Sequence, residues 1–233
     1  MLAGHYTTAL IAKQKAPKGS LIFFLIISQL PDLLWLVLHF LGIEPTEPTN
    51  VLDVSLDNLS VEMIYSHDLL PILGWIGLSY ALGLLLFKSQ KVGVTSALLL
   101  ALHALVDYLG GYPHNIFGTD TLSVGTGLYY SQPYLAVALE LIFSAIVLYL
   151  FFKTEKKNNI KRTKRQRNWI IGIFTFNIIF MFSIADLSTR DLLATMNIDF
   201  ATEFGFQTTI PVLAIMYVMY IYLINKHANL DTK

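Results

Sequence analysis

The sequence contains no cysteine among its 233 residues, and this absence removes several kinds of chemistry. There is no disulfide, no thiolate metal ligand and no cysteine nucleophile. A transition-metal site would have to use histidine, carboxylates and water. Charge is also scarce, since charged residues make up 14% of the chain, against roughly 25% in soluble domains. The formal net charge is zero, which argues against nucleic acid as a partner, because nucleic-acid binding relies on neutralising phosphates.

Hydrophobic residues are abundant, at 55% of the chain, and they lie in long runs. Six runs approach the roughly 20 residues that a helix needs to cross a bilayer. They are Leu21–Leu41, Leu69–Phe87, Val92–Leu109, Pro133–Phe152, Trp169–Ala185 and Thr208–Asn225. Pro31 is expected to kink the first run, and the short apolar segment before it is expected to form a half-helix. We predict an all-α fold, a single polytopic membrane helical bundle over residues 1–233 with about six transmembrane helices.

The basic residues are strongly segregated along the chain. If the six runs alternate across a membrane, fifteen of the sixteen Lys and Arg residues fall on one side and Arg190 alone falls on the other. The positive-inside rule then predicts that both termini are cytoplasmic and that the acidic loops are outside, in a cell (inner or plasma) membrane. The densest basic run, 153–167, is predicted to be a cytoplasmic loop that touches anionic lipid.

His103 and Asp107 stand out because they interrupt an apolar run. Four residues apart on a helix, they project from one face, one turn apart. Ionisable groups inside a membrane usually face a protein interior or a water-filled cavity and serve a function. The pair is therefore a candidate metal site, and the alternative is a structural pair that holds two helices together.

Counting residues from the predicted turns places other polar side chains at a similar depth. Asp32 lies roughly 22 Å and His103 roughly 20 Å from the inner face, at 1.5 Å per helical residue. His5 lies roughly 18 Å from that face if the N-terminal segment folds back. His67 is at the outer end of its run, and Glu140 is roughly 10 Å below the outer face. We expect these side chains to share one layer in the outer half of the bundle.

The order of these residues resembles a known family. His5, Pro31-Asp32, Ser66-His67, His103-x-x-x-Asp107 and Tyr112-Pro-His114 are similar to motifs of the bacterial inner-membrane metal-dependent hydrolases, some described as LexA-binding and inner membrane-associated. A more distant similarity is to the zinc-dependent phospholipase C enzymes. The resemblance covers residues 1–118, about half of the chain.

The resemblance implies a membrane-embedded hydrolase that cleaves a phosphodiester or related ester of a membrane lipid. It implies that one or two divalent metal ions, zinc first among them, are held by a set of six residues. That set is His5, Asp32, His67, His103, Asp107 and His114. Asp68 or Glu140 would then accept a proton as general base, Glu140 being added on its depth alone.

Two departures from the family pattern limit this interpretation. Pro31-Asp32 is followed by leucines where relatives often carry a second aspartate, and no His-x-x-x-Glu follows His114. One or two metal ions are therefore expected in place of three. Two other classes remain open: a transporter of metal ions or small solutes, and a structural membrane protein with a degenerate metal site.

Overall fold

The computed structural model describes residues 2–198 and 206–229, and the chain is mostly helical within these ranges. The described residues form eleven α-helices, two small antiparallel strand pairs and one short 3-10 turn. The helices are α1 (Leu2–Lys15), α2 (Leu21–Ser28), α3 (Leu30–Phe40), α4 (Ile64–His67), α5 (Leu69–Phe87), α6 (Gln90–Gly110), α7 (Leu128–Ser131), α8 (Pro133–Lys157), α9 (Lys164–Ser183), α10 (Thr189–Thr195) and α11 (Thr209–Ala228). The strands are β1 (Thr46–Glu47), β2 (Ser60–Val61), β3 (His114–Asn115) and β4 (Ser123–Val124), and the 3-10 turn is Val51–Asp53.

Four helices of the described chain are long and apolar enough to cross a membrane, namely α5, α6, α8 and α11. The pair α2–α3 meets the same test together, but it bends by 62°, so the count reaches five only if the pair is one span. The predicted count of about six is not confirmed, because α9 falls short. The first turn of α9 is basic and Asn177 lies in its second half, which leaves too short an apolar stretch. Several long apolar helices of this kind are compatible with a multi-pass membrane protein.

The bend between α2 and α3 lies where the sequence predicts it. Helix α2 ends at Ser28, Gln29 links the two helices, and Pro31 occupies the first turn of α3. Proline fits the first turn of a helix but cannot continue one, because it lacks an N–H donor. At the break the backbone N–H group of Gln29 donates to the Ile26 and Ile27 carbonyl groups, and the break places Asp32 at the start of α3.

Helix α1 folds back into the bundle and is buried, which meets the condition on which the predicted depth of His5 depended. It packs against α2, α6 and α8, and Ala3, His5 and Ala9 are all at most 1% exposed. Small side chains let helix backbones approach closely in apolar surroundings. The turn at 16–19 reverses the chain between α1 and α2, and His5 is thereby brought into the interior.

Helices α5 and α6 form a tight hairpin that fixes the position of the central histidine and aspartate. A Cβ atom on Gly93 would lie 2.8 Å from the carbonyl oxygen of Tyr80, and one on Gly83 would lie 2.9 Å from the Cα of Gly93. Only glycine permits this approach. The buried residues of α6 recur at helical spacing, and both His103 and Asp107 lie on that buried face.

Two short hairpins lie next to the helix ends that carry His67 and Asp107. In the first, β1 pairs with β2, and α4 follows β2 directly. In the second, β3 pairs with β4 through His114 opposite Val124. The first hairpin is tied to the start of α11, because the Thr209 hydroxyl donates to the Pro48 carbonyl at 2.6 Å.

The basic segment 153–167 is a loop over only part of the length that was predicted. Helix α8 continues to Lys157 and α9 begins at Lys164, so the connection is 158–163. The positive charges of Lys156 and Lys157 stabilise the C-terminus of α8, where the helix dipole is negative. Thr163 and Gln166 form a capping box that starts α9.

Candidate metal centre

Four buried side chains from three parts of the chain meet inside the bundle. They are Asp32 from the first turn of α3, His67 from the end of α4, and His103 and Asp107 from α6. One ligand atom from each, an imidazole nitrogen or a carboxylate oxygen, lies within 4.8 Å of the others. Such a cluster could hold a metal ion, because ligands on opposite sides of one ion, with bonds of about 2.0–2.2 Å, lie roughly 4 Å apart.

The orientation of His103 is set by a backbone carbonyl. Its Nδ1 lies 2.8 Å from the carbonyl oxygen of Ser28, the last residue of α2. A carbonyl oxygen only accepts hydrogen bonds, so Nδ1 carries the proton and donates it. In the neutral imidazole, Nε2 then has a free lone pair. This is the arrangement of a histidine that binds a metal through Nε2 while its other nitrogen is held by a protein acceptor.

Asp107 lies at the centre of the cluster. Its Oδ2 is 3.2 Å from Nε2 of His103 and 3.9 Å from Nε2 of His67. The shorter of these two approaches lacks the geometry of a hydrogen bond, and Nε2 of His103 has no hydrogen-bond partner within the described chain. A lone pair that faces a carboxylate oxygen in a buried site is unfavourable, and either a proton on the nitrogen or a metal cation between the two atoms relieves the repulsion. The donor set of nitrogen and oxygen atoms fits a transition-metal ion.

The two ring nitrogens of His67 have different partners, one inside the cluster and one behind it. Its Nε2 is 3.3 Å from Oδ1 of Asp32, and its Nδ1 is 2.8 Å from Oγ of Ser66. The Tyr108 hydroxyl donates to the backbone carbonyl of His67 at 2.8 Å, which ties the end of α4 to α6. The imidazole is therefore held at both ring nitrogens, and the backbone of the same residue is held by Tyr108.

His5 reaches the cluster but is outside the group of four. Its Nε2 lies 3.1 Å from Oδ1 of Asp107, and its ring stacks on His103 with centroids 3.7 Å apart. By donating to Asp107, His5 orients this carboxylate. Its Nδ1 is buried and has no hydrogen-bond partner in the described part of the chain.

His114 stacks on the outer face of the His67 ring, with centroids 5.2 Å apart and ring planes at 10°. Burial lowers the pKa of His114 from its usual value to about 3, and the neighbouring imidazole of His67 lowers it further in the same direction. His114 is therefore a neutral imidazole at ordinary pH. It lies on the wall of the cavity described below, next to the four clustered residues but not among them.

The two predicted proton acceptors are engaged elsewhere. Asp68 accepts hydrogen bonds from the backbone N–H groups of Asn115 at 2.8 Å and Gly118 at 2.6 Å, one on each oxygen. Glu140 accepts from the backbone N–H groups of Ala3 at 2.6 Å and Gly4 at 3.3 Å. Asp68 thus holds the β3 hairpin in place, and Glu140 caps the start of α1. This geometry favours an anchoring role for both carboxylates over the general-base role.

A mostly apolar cavity of about 220 Å³ opens beside the cluster. Asp32, His67, Asp107 and His114 form its polar wall. Most of the remaining lining comes from the 51–63 segment, α9 and α11, including Leu52, Leu56, Phe180, Met181, Leu213 and Met216, and Trp35, Tyr112 and Tyr129 also contribute. A concave apolar space with a few convergent polar groups is the usual form of a binding site for a small or amphiphilic molecule.

Three groups around the cluster were not predicted from the sequence. Glu44 and Ser66 contact each other behind His67, and the Ser28 carbonyl holds His103. Ser66 was named in the sequence only as part of the Ser66-His67 motif, without a role of its own. Glu44 lies 23 residues before His67 in a polar loop, so nothing in the local pattern indicates that it is buried.

Comparison of the chain with protein-family models, curated proteins and solved structures gives no match.

Proposed function

We propose that the protein is a membrane-embedded, metal-dependent hydrolase that acts on a phosphodiester or related ester of a membrane lipid. The observation that carries this proposal is the meeting of Asp32, His67, His103 and Asp107 at the polar end of an apolar cavity. One or two divalent ions, with zinc as the first candidate, are proposed as the cofactor. The His-x-x-x-Asp spacing and the order of the motifs support the hydrolase class by resemblance.

The protein's own groups have distinct tasks in this proposal. Asp32, His67, His103 and Asp107 hold the ion, and His5 keeps the Asp107 carboxylate in position by hydrogen bonding to Oδ1. A divalent ion held there would lower the pKa of bound water towards neutrality and polarise a phosphoryl oxygen. His114, neutral and on the cavity wall, is available to hydrogen-bond a substrate oxygen.

The cavity supports a substrate with an apolar part. Its lining is mostly hydrocarbon and aromatic, while its polar wall includes Asp32, His67 and Asp107 of the candidate metal centre. An ester of a lipid presents the same division, with a polar reacting group joined to an apolar chain. We further propose that both termini are cytoplasmic and that the site opens towards the outer half of the membrane, following the distribution of basic residues.

The decisive experiment measures the metal content of the detergent-purified protein. We expect stoichiometric metal that survives dialysis in the wild type, and its loss in His103→Ala and Asp107→Ala. His227→Ala and Asp120→Ala are matched controls, because they remove the same side chains at positions outside the cluster and should retain the metal. A wild type with no more zinc, manganese or iron than the two cluster variants would refute the proposal.

Turnover separates the hydrolase from the other classes. The metal-loaded protein should cleave a fluorogenic phosphodiester with an alkyl chain, and the two cluster variants should not. Metal that is bound but exchanges freely across liposomes, without turnover, would instead support a transporter. Tightly held metal without turnover on any phosphodiester or ester tested would support a structural role.

A further inference from the structure

Glu44 is a buried carboxylate that lies behind a candidate metal ligand. It is in the loop after α3 and is fully buried. Its Oε1 accepts hydrogen bonds from the backbone N–H groups of Tyr65 at 2.7 Å and Ser66 at 3.0 Å. Its Oε2 accepts from the Ser66 hydroxyl at 2.8 Å. A carboxylate so placed caps the first turn of α4, but the third contact is not needed for capping.

The third contact fixes the direction of a chain of hydrogen bonds. An ionised carboxylate can only accept, so the Ser66 hydroxyl hydrogen must point to Glu44. The Ser66 oxygen is then left as an acceptor for Nδ1 of His67, 2.8 Å away. Nδ1 must therefore carry the imidazole proton. In the neutral ring this leaves Nε2 unprotonated. Nε2 lies within hydrogen-bonding distance of Oδ1 of Asp32, at 3.3 Å, and also faces Asp107, so its lone pair would face two carboxylates and a cation between them would relieve this contact.

We propose that Glu44 is a positioning residue of the metal centre, which acts through Ser66 to keep the His67 proton on Nδ1 and so reserves Nε2 for the metal ion. The proposal rests on the metal site proposed above. It adds a role for a residue that does not touch the site. Outer groups that hold ligating histidines in this way typically contribute 10- to 100-fold to metal affinity.

The variant Glu44→Gln reverses the direction of the chain without removing it. The amide oxygen must take the place of Oε1, because the backbone N–H groups of Tyr65 and Ser66 can only donate. The amide NH2 group then faces Ser66 and donates to its oxygen. The Ser66 hydroxyl is left to donate to His67, so the imidazole proton moves to Nε2 and blocks the ligand position.

Ser66→Ala has a different effect, because it removes the hydrogen-bond chain. His67 can then adopt either tautomer. Reversing the hydrogen-bond chain should therefore lower the Zn²⁺ affinity more than removing it. We expect the Zn²⁺ affinity to fall about 100-fold in Glu44→Gln and about 10-fold in Ser66→Ala. A merely structural role for Glu44 predicts the opposite order, because glutamine retains the cap of α4.

The test uses the full chain in detergent and measures Zn²⁺ affinity by competition with a chromogenic chelator. Glu47→Gln is the matched control, since it makes the same charge change on an exposed residue three positions away and should leave the affinity unchanged. Thermal unfolding verifies that each variant folds. If Glu44→Gln fails to fold, Ser66→Ala carries the test, because an affinity equal to that of the wild type would overturn the proposal.

A second readout does not depend on the metal. Histidine ¹⁵N spectra of the metal-free protein distinguish a ring protonated on Nδ1 from one protonated on Nε2, and His67→Gln identifies the signal. We expect the Nδ1 form in the wild type and the Nε2 form in Glu44→Gln. An unchanged tautomer, or a Zn²⁺ affinity within threefold of the wild type, overturns the inference. If the wild type binds no Zn²⁺ but its His67 tautomer differs from that of Glu44→Gln, the proposed function is refuted. The hydrogen-bond chain from Glu44 through Ser66 to His67 would still be supported.

Discussion

Glu140 anchors the helix that carries His5, and substitutions at this position separate anchoring from proton transfer. The N–H groups of Ala3 and Gly4 belong to the first turn of α1, where no helical acceptor is available. Both donate a hydrogen bond to Oε1 of Glu140, and this side chain is fully buried. Water cannot easily replace this acceptor in an apolar interior.

The expected losses follow from counting these hydrogen bonds. In Glu140→Ala two buried N–H groups lose their acceptor, and at about 1–3 kcal/mol each the free energy of unfolding should fall by about 2–6 kcal/mol. In Glu140→Gln the amide oxygen still accepts both. That variant loses only the attraction between a negative charge and the helix N-terminus, at most about 2 kcal/mol. His5 moves with α1, so the metal affinity should fall in the alanine variant and be largely retained in the glutamine variant.

The assay combines unfolding in mixed micelles, followed by circular dichroism, with metal affinity and phosphodiester turnover. Ser144→Ala is the control, because the Ser144 hydroxyl lies one turn further along the same face of α8 and is buried without a hydrogen-bond partner in the described chain. Its removal should cost little or nothing. If Glu140→Gln lost turnover by 10²-fold or more at unchanged stability and metal affinity, Glu140 would be a general acid or base and the anchoring argument would fail.

Two further predictions concern stability away from the centre. Gly93→Ala should destabilise the protein by about 1–3 kcal/mol, because its Cβ would meet the Tyr80 carbonyl. Gly74→Ala, which meets nothing within 4 Å, should be neutral or stabilising by up to about 1 kcal/mol in the same unfolding assay, and equal effects would contradict the packing argument. Arg162→Gln should cost about 3–5 kcal/mol, because it leaves the buried Glu155 carboxylate without its ion pair at 2.7 Å. Metal affinity should be unchanged in that variant, and a matching loss of affinity would show that this end of the bundle is coupled to the centre.

The depth of the centre could be predicted because helical rise is constant. A count of residues from the turns was enough to bring His103 and Asp107 level with Asp32, and the structure brings these residues together with His67. The fold-back of α1 entered that count only as a condition for the depth of His5, and the structure meets the condition. Depth along a helix axis is a local property, so sequence alone can supply it.

Rotation about the helix axis could not be obtained in this way. Glu140 was expected at the depth of the cluster, but its side chain faces the first turn of α1. Asp68 directly follows His67, yet α4 ends between them and the Asp68 backbone is extended. The two side chains therefore point to different partners. These directions depend on how the helices pack, and no periodicity in the sequence contains that information.

Glu44 illustrates a second limit. A glutamate in a loop with several other carboxylates has the composition of a solvated segment, and its burial arises only when the loop folds under α4. The predicted span count was not confirmed for a related reason. The apolar residues of α9 are numerous, but Asn177 and the basic first turn shorten the stretch they form.

The break after α2 affects how the candidate metal centre tolerates amino-acid substitutions nearby. The group that orients His103 is the Ser28 carbonyl oxygen, a backbone atom present whatever side chain occupies that position. No single side-chain replacement at position 28 can delete it. The orientation of one candidate ligand is therefore encoded in the interruption of a helix and not in the identity of a neighbouring residue, and it should persist in sequences that have diverged around it as long as the interruption itself is kept.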